Sequence, residues 1–140
     1  MRRFGLIVAL LTVVLSVAMA ARGVEREGAT SEPHFTAQIC ENSVCEVLAD
    51  FGDVERSALS HRTIRLENST NKPVALLDYR ATCKCVWLTL PTKAIPAGGY
   101  ADVAITYDSR GEWGSVGNYI SIECSNENCK IAVWMAAEIQ

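Results

Sequence analysis

Basic charge is in short supply in this chain: 13 Lys and Arg stand against 16 Asp and Glu, a formal net charge of −3. Binding to nucleic acid needs clustered Lys and Arg to neutralise phosphates, and adhesion to anionic membranes needs the same residues, so both are disfavoured. Histidine is scarcer still, with only His34 and His61. Neither has a neighbour that makes a nucleophile–base pair legible. Gly114-Ser115-Val116-Gly117 reads as a turn and does not fit the nucleophile elbow. The carboxylates are scattered, the pattern of a solvated face. No enzyme is legible here. One long apolar run occurs, from Leu6 to Val17, and nothing after it repeats apolar residues at a helical period.

That single run is laid out like an export signal. Arg2 and Arg3 provide the positive start, and only Thr12 and Ser16 interrupt the apolar middle. Ala18-Met19-Ala20 then offers the small residues that a signal peptidase reads, which predicts a cut after Ala20. The alternative is an uncleaved anchor, since Phe4 to Ala21 reaches about the lower length limit of a spanning helix. Membrane attachment is expected only in that case. No cysteine follows the cut at once, so a lipoprotein anchor is not indicated. Removal of residues 1–20 leaves 11 basic against 16 acidic residues in a chain long enough for one domain with its own core. The expected location is the periplasm or the extracellular space.

Residues 21–34 are polar and charged with scattered glycine, and read as a flexible lead. From Phe35 to Gln140 the apolar period is two. Phe35, Ala37 and Ile39 alternate with polar neighbours, and Cys45, Val47, Ala49 and Phe51 repeat the pattern before an expected turn at Gly52-Asp53. Ile64 and Leu66 continue it. Asn68 to Pro73 is strong turn chemistry, because Asn and Ser bond their own backbone and Pro fixes φ. Asn68-Ser69-Thr70 also fits a glycosylation sequon, here read as part of that turn. Val74 to Asp78 is apolar enough to predict a strand buried on both faces. Ala101 to Tyr107, Val116 to Ile122 and Ile131 to Ile139 complete the series, the last two joined by a hairpin loop at Ser125–Asn128. Seven to eight short strands predict an all-β, antiparallel β-sandwich of immunoglobulin type, without the Cys…Trp…Cys spacing of antibody domains.

All six cysteines fall in the exported part, where an even number favours disulfides. Cys124 and Cys129 flank the last hairpin loop, and Cys40 and Cys45 share their spacing. Local pairing of each is the expectation, worth about 2 kcal/mol per loop on the chain-entropy model. A crossed arrangement stays open if both loops lie at one end of the sandwich. Cys83 and Cys85 then remain. On an extended strand their Cα atoms would stand about 6.6–6.8 Å apart. A relaxed disulfide prefers about 5.5–6 Å, so a bond between them requires a bend. Otherwise they form a Cu(I) clamp, a thiol-redox pair, or bonds to cysteines elsewhere. Trp87 is expected on the same strand face as these two sulfurs, and Lys84 on the opposite one.

Five segments in order resemble one bacterial family, domain-of-unknown-function family 1573 (DUF1573). They are Phe51-Gly52-Asp53-Val54; Leu66 to Ser69 with Lys72-Pro73-Val74; Ala81-Thr82-Cys83-Lys84-Cys85; Ile95-Pro96-Ala97-Gly98; and Tyr107-Asp108-Ser109-Arg110-Gly111. The third matches the family's Cys-Gly-Cys signature with Lys84 in place of glycine. The resemblance spans about Asp50 to Ile139. It implies an exported, immunoglobulin-like sandwich related in architecture to domains of cilium- and sperm-associated proteins, and it implies no established activity. The Cys40/Cys45 and Cys124/Cys129 pairs are not part of that pattern. The functional expectation is a non-catalytic exported module with a structural or protein-interaction role and no cofactor, whose partners meet loops or an edge strand. Trp113 is a candidate exposed contact. The alternative is Cu(I) binding or thiol-redox handling at Cys83 and Cys85.

Overall fold

Alternation of apolar and polar residues builds every strand of the computed structural model, which describes residues 32–140. The expected signal segment, residues 1–20, and the lead as far as residue 31 lie outside the described residues. Eight strands follow in chain order: β1 (Phe35–Ile39), β2 (Val44–Val54), β3 (Leu59–Asn68), β4 (Leu76–Ala81), β5 (Val86–Thr89), β6 (Tyr100–Asp108), β7 (Gly114–Cys124) and β8 (Lys130–Ile139). They form two four-stranded sheets, ordered β1-β3-β6-β5 and β2-β8-β7-β4. No helix occurs among the described residues.

The inward face of each strand is the one its alternation marks. Val47, Ala49 and Phe51 of β2, Ile64 and Leu66 of β3, Val103, Ile105 and Tyr107 of β6, and Ile131, Val133 and Met135 of β8 are all buried in one core. Phe51 meets the Tyr107 ring edge-on at 6.0 Å between centroids. Such burial stabilises each large side chain by about 1.5–3 kcal/mol.

Four expectations need correction. Gly114-Ser115-Val116-Gly117 is not a turn but the start of β7, paired with the end of β8 from Gly114 opposite Ile139. The sandwich is not purely antiparallel, because β1 pairs β3 and β2 pairs β8 in parallel. From β1 to β5 the chain changes sheet at every connection. Strands two apart in sequence therefore return to one sheet pointing the same way. Gly52-Asp53 is not a turn but a bulge within β2, where the register slips between Asp50 and Asp53. Gly52 has φ +67° there, and Asp50 Oδ1 accepts its N–H at 2.8 Å. Nor is the Val74–Asp78 segment buried on both faces. Val74 and Leu76 are buried, but Leu77 is 61% exposed and Asp78 is exposed, at a second bulge between Leu76 and Asp78.

The polar turn after β3 has a buried hub. Asn68, 1% exposed, donates through Nδ2 to the carbonyls of Lys72 (2.8 Å) and Ile95 (2.9 Å). Its Oδ1 accepts from Thr70 N–H (3.0 Å) and Thr70 Oγ1 (2.6 Å). With its amide thus occupied inside the protein, the sequon is structural. Val74 and Ile95 exchange backbone hydrogen bonds beside it.

Candidate functional site

Strand β4 ends at Ala81 in one sheet and β5 begins at Val86 in the other, so the Thr82–Cys85 turn carries the chain across the sandwich between two edge strands. Thr82 pins the turn to β7: its N–H donates to the Tyr119 carbonyl and its Oγ1 accepts the Tyr119 N–H, both at 3.0 Å. The bend brings the Cys83 and Cys85 Cα atoms to 5.2 Å and their sulfurs to bonding distance. Cys85 N–H donates to Cys83 Sγ at 3.0 Å. Cys85 packs against the core, and its carbonyl accepts Asp108 N–H at 2.8 Å. Below it, Asn118 Nδ2 lies 3.7 Å from Cys85 Sγ and 3.8 Å from Met135 Sδ.

The β6–β7 loop supplies the other wall. Ser109, fully buried, anchors it by accepting Ala58 N–H (2.9 Å) and donating to the Glu55 carbonyl (2.7 Å). Arg110 folds back onto Asp108 and holds that carboxyl below its ordinary range through their hydrogen bonds. The next residues bring the Glu112 carboxylate to within 4.8 Å of both cysteine sulfurs, all three groups half-buried. Tyr107 lies beneath, its buried hydroxyl without a protein partner. Burial chiefly, and then the Glu112 and Asp108 charges, raise its pKa. Trp113 is 76% exposed, as its reading as a contact residue requires. The turn ends the β5 alternation before Cys85, so Trp87 stands 38% exposed opposite Thr106 while Cys85 packs inward. Lys84 is exposed at the tip.

Neither Glu112 nor Asn118 was legible from sequence, because each reaches the sulfurs from a separate element. The only local cue was position: Glu112 lies next to Trp113, and Asn118 falls on the inward period of β7. The two histidines take structural parts. His34 Nδ1 accepts Thr63 N–H at 3.0 Å, and His61 Nδ1 hydrogen-bonds Thr106 Oγ1 at 3.0 Å.

The other four cysteines sit at the opposite end of the sandwich. Cys124 closes β7 and Cys129 precedes β8, with sulfurs 2.6 Å apart, well inside a non-bonded contact. Cys45 is buried on β2, and its pKa is pushed up to about 11 by burial first and by Cys129 and Cys40 second. Cys40 is exposed in the preceding loop, its Sγ 4.0 Å from the Gln38 carbonyl. The structure therefore brings Cys124 and Cys129 together but leaves Cys40 and Cys45 as separate thiols. Cys124 lies five residue steps along β7 from Tyr119, about 17 Å at the usual rise, which puts Cys83 and Cys85 out of reach of this group.

A second surface feature was not expected from sequence. On the outer face of β2-β8-β7-β4, Leu48, Trp134 and Tyr119 form one cross-strand row. Leu48 is 64% and Trp134 50% exposed, and the Tyr119 and Trp134 rings lie 4.6 Å apart. Beside the row, Val44, Leu77, Tyr119 and Ala132 line a shallow groove of about 430 Å³.

No curated protein matches this chain. Among solved structures, a protein of unknown function from Porphyromonas gingivalis W83 matches with a TM-score of 0.56 at 17% identity, over 78% of this chain and 50% of that one. This chain thus spans half the length of that protein. The ASH/PapD-like domain 7 of human CEP192 matches with a TM-score of 0.54 at 13% identity, over 82% of this chain and 92% of that one. At such identities the likeness shows the fold alone. The family model described as "Protein of unknown function (DUF1573)" covers residues 43–139, a span that contains both the Cys83–Cys85 turn and the Glu112 loop, and the chain belongs to the DUF1573 family.

Proposed function

We propose that this chain is an exported, non-catalytic β-sandwich module that holds a protein partner on the outer face of β2-β8-β7-β4. The observation that carries the reading is the Leu48–Trp134–Tyr119 row. The solvent face of a sheet in a freestanding sandwich alternates to polar residues. Here it carries a contiguous aliphatic and aromatic strip, with Val44 and Leu77 exposed nearby. Clustered exposed apolar groups of this kind mark interaction sites, and tryptophan is enriched at binding hot spots.

Charge around the strip defines the partner's chemistry. Glu46, Asp50, Asp78, Glu123 and Glu127 are exposed on or beside this face, against Lys130 and Arg80. A partner with an apolar centre and a basic rim complements it. Export is supported by the layout of residues 1–20, and the non-catalytic role by the lack of a readable nucleophile–base pair.

Photo-crosslinking in intact cells tests this. A benzophenone amino acid at position 48 is expected to give a discrete adduct that disappears when Trp134→Glu is added. The same group at position 104, exposed on the other sheet, is expected to give none. An adduct of twice the chain mass would identify the partner as a second copy. No adduct at 48, or the same adducts at 104, would overturn the proposal.

A further inference from the structure

We infer that the Cys83–Cys85 pair is a thiol–disulfide exchange site that takes two electrons from the dithiol of an exported partner protein, a role independent of the docking face. Three features of the turn point this way. The pair lies where the chain crosses between edge strands, half-buried and not beneath a sheet. Its two sulfurs differ in setting. Cys85 packs against the core with Asn118 Nδ2 at 3.7 Å, whereas Cys83 stands between the exposed Thr82 and Lys84. Trp113, the residue after Glu112, is 76% exposed and adds an aromatic group to the surface of this loop.

The asymmetry sets the order of events. The partner's thiolate attacks Cys83 Sγ, forming a mixed disulfide as the Cys83–Cys85 bond breaks. Cys85 leaves as a thiolate, which the Asn118 amide stabilises until it takes a proton from solvent. The partner's second thiolate then attacks the partner sulfur of the mixed disulfide, and Cys83 leaves as a thiolate and is protonated. One dithiol is oxidised, one disulfide is reduced, and no further reactant is needed. A half-buried pair in a surface turn, which solvent and a small thiol still reach, is open to such exchange.

Glu112 acts as a brake. Its charge, within 4.8 Å of both sulfurs, opposes an incoming thiolate and a departing one. At that distance, with screening close to that of water at this surface turn, its neutralisation corresponds to a rate change of about threefold to tenfold. A carboxylate that served only to buttress the loop would not move this rate.

The test uses the oxidised full-length protein with dithiothreitol as the probe, followed by acid quench, alkylation and peptide mapping. The expected result is reduction of Cys83 and Cys85 at millimolar reagent with the β-sheet circular dichroism unchanged. Glu112→Gln is expected to speed that step about threefold to tenfold at an unchanged Tm. Cys85→Ser is expected to trap a stable mixed disulfide with oxidised glutathione at Cys83, at least tenfold faster than Cys83→Ser does at Cys85. Resistance to reduction until the domain unfolds, an E112Q rate equal to wild type, or equal trapping by the two serine variants would each overturn the inference.

Discussion

Replacing Asn68 by alanine removes a buried bracket that joins three chain segments, and the loss can be worked out bond by bond. The side chain makes four hydrogen bonds: two to the carbonyls of Lys72 and Ile95, and two from Thr70. Each is worth about 1 kcal/mol net, and a buried group left unpaired costs about 1–3 kcal/mol. Two losses are softened. The Ile95 carbonyl still accepts Val74 N–H at 2.9 Å, and the Thr70 hydroxyl, released from Asn68, turns its one proton to the Lys72 carbonyl 2.9 Å away. Thr70 N–H is left without its acceptor. The expected destabilisation is about 3 kcal/mol, read as a lower urea midpoint at constant slope. Asn68→Asp separates donors from acceptors, because it keeps Oδ1 but sets a carboxylate against two carbonyls. It is expected to be at least as damaging at pH 7 and to recover part of the loss near pH 4, where a protonated oxygen donates again. A change within about 0.5 kcal/mol for Asn68→Ala would show that the hub does not hold this turn.

The remaining predictions concern the cysteine end and one bulge. Alkylation of the oxidised protein without reductant should leave Cys124 and Cys129 unlabelled, and Cys129→Ser should cost about 2 kcal/mol; labelling of both in the native protein would contradict the 2.6 Å approach. Cys45, with its pKa raised from 9.0 to about 11, holds its proton in the folded state where the unfolded chain releases it. Folded chains then bind more protons, so stability should be intact below about pH 9 and fall by on the order of 1–2 kcal/mol between pH 9 and 11, after allowance for solvent screening. Cys45→Ala should lack that portion of the pH dependence. Gly52→Ala forces a side chain into φ +67° with open space around it. A loss of about 1 kcal/mol by urea titration is expected, from backbone strain alone.

Strand membership was legible because burial imposes it residue by residue. Val103, Ile105 and Tyr107, or Ile131, Val133 and Met135, point inward at a period of two whichever strand lies alongside. The bulges at Gly52 and Leu77 escaped because one inserted residue leaves the composition unchanged while shifting which neighbour is opposite. The candidate site was half legible. Cys83 and Cys85 announce themselves by adjacency, but Glu112 and Asn118 approach from 27 and 33 positions along the chain from Cys85. The Leu48–Trp134–Tyr119 row was hidden for the same reason: each residue reads alone as an ordinary outward position.

By itself, then, the sequence determined an all-β domain, its inward faces, its family and the presence of a two-cysteine signature. Those properties follow from local periodicity and short motifs, which act through nearest neighbours. Tertiary structure alone decided that β1 and β3, and β2 and β8, run parallel, because direction depends on which sheet each connection enters. It also decided that the six cysteines divide between opposite ends of the sandwich, and that a bend brings Cys83 and Cys85 to 5.2 Å beside a carboxylate. Distances between residues remote in sequence are set by how strands pack, and no local pattern carries them.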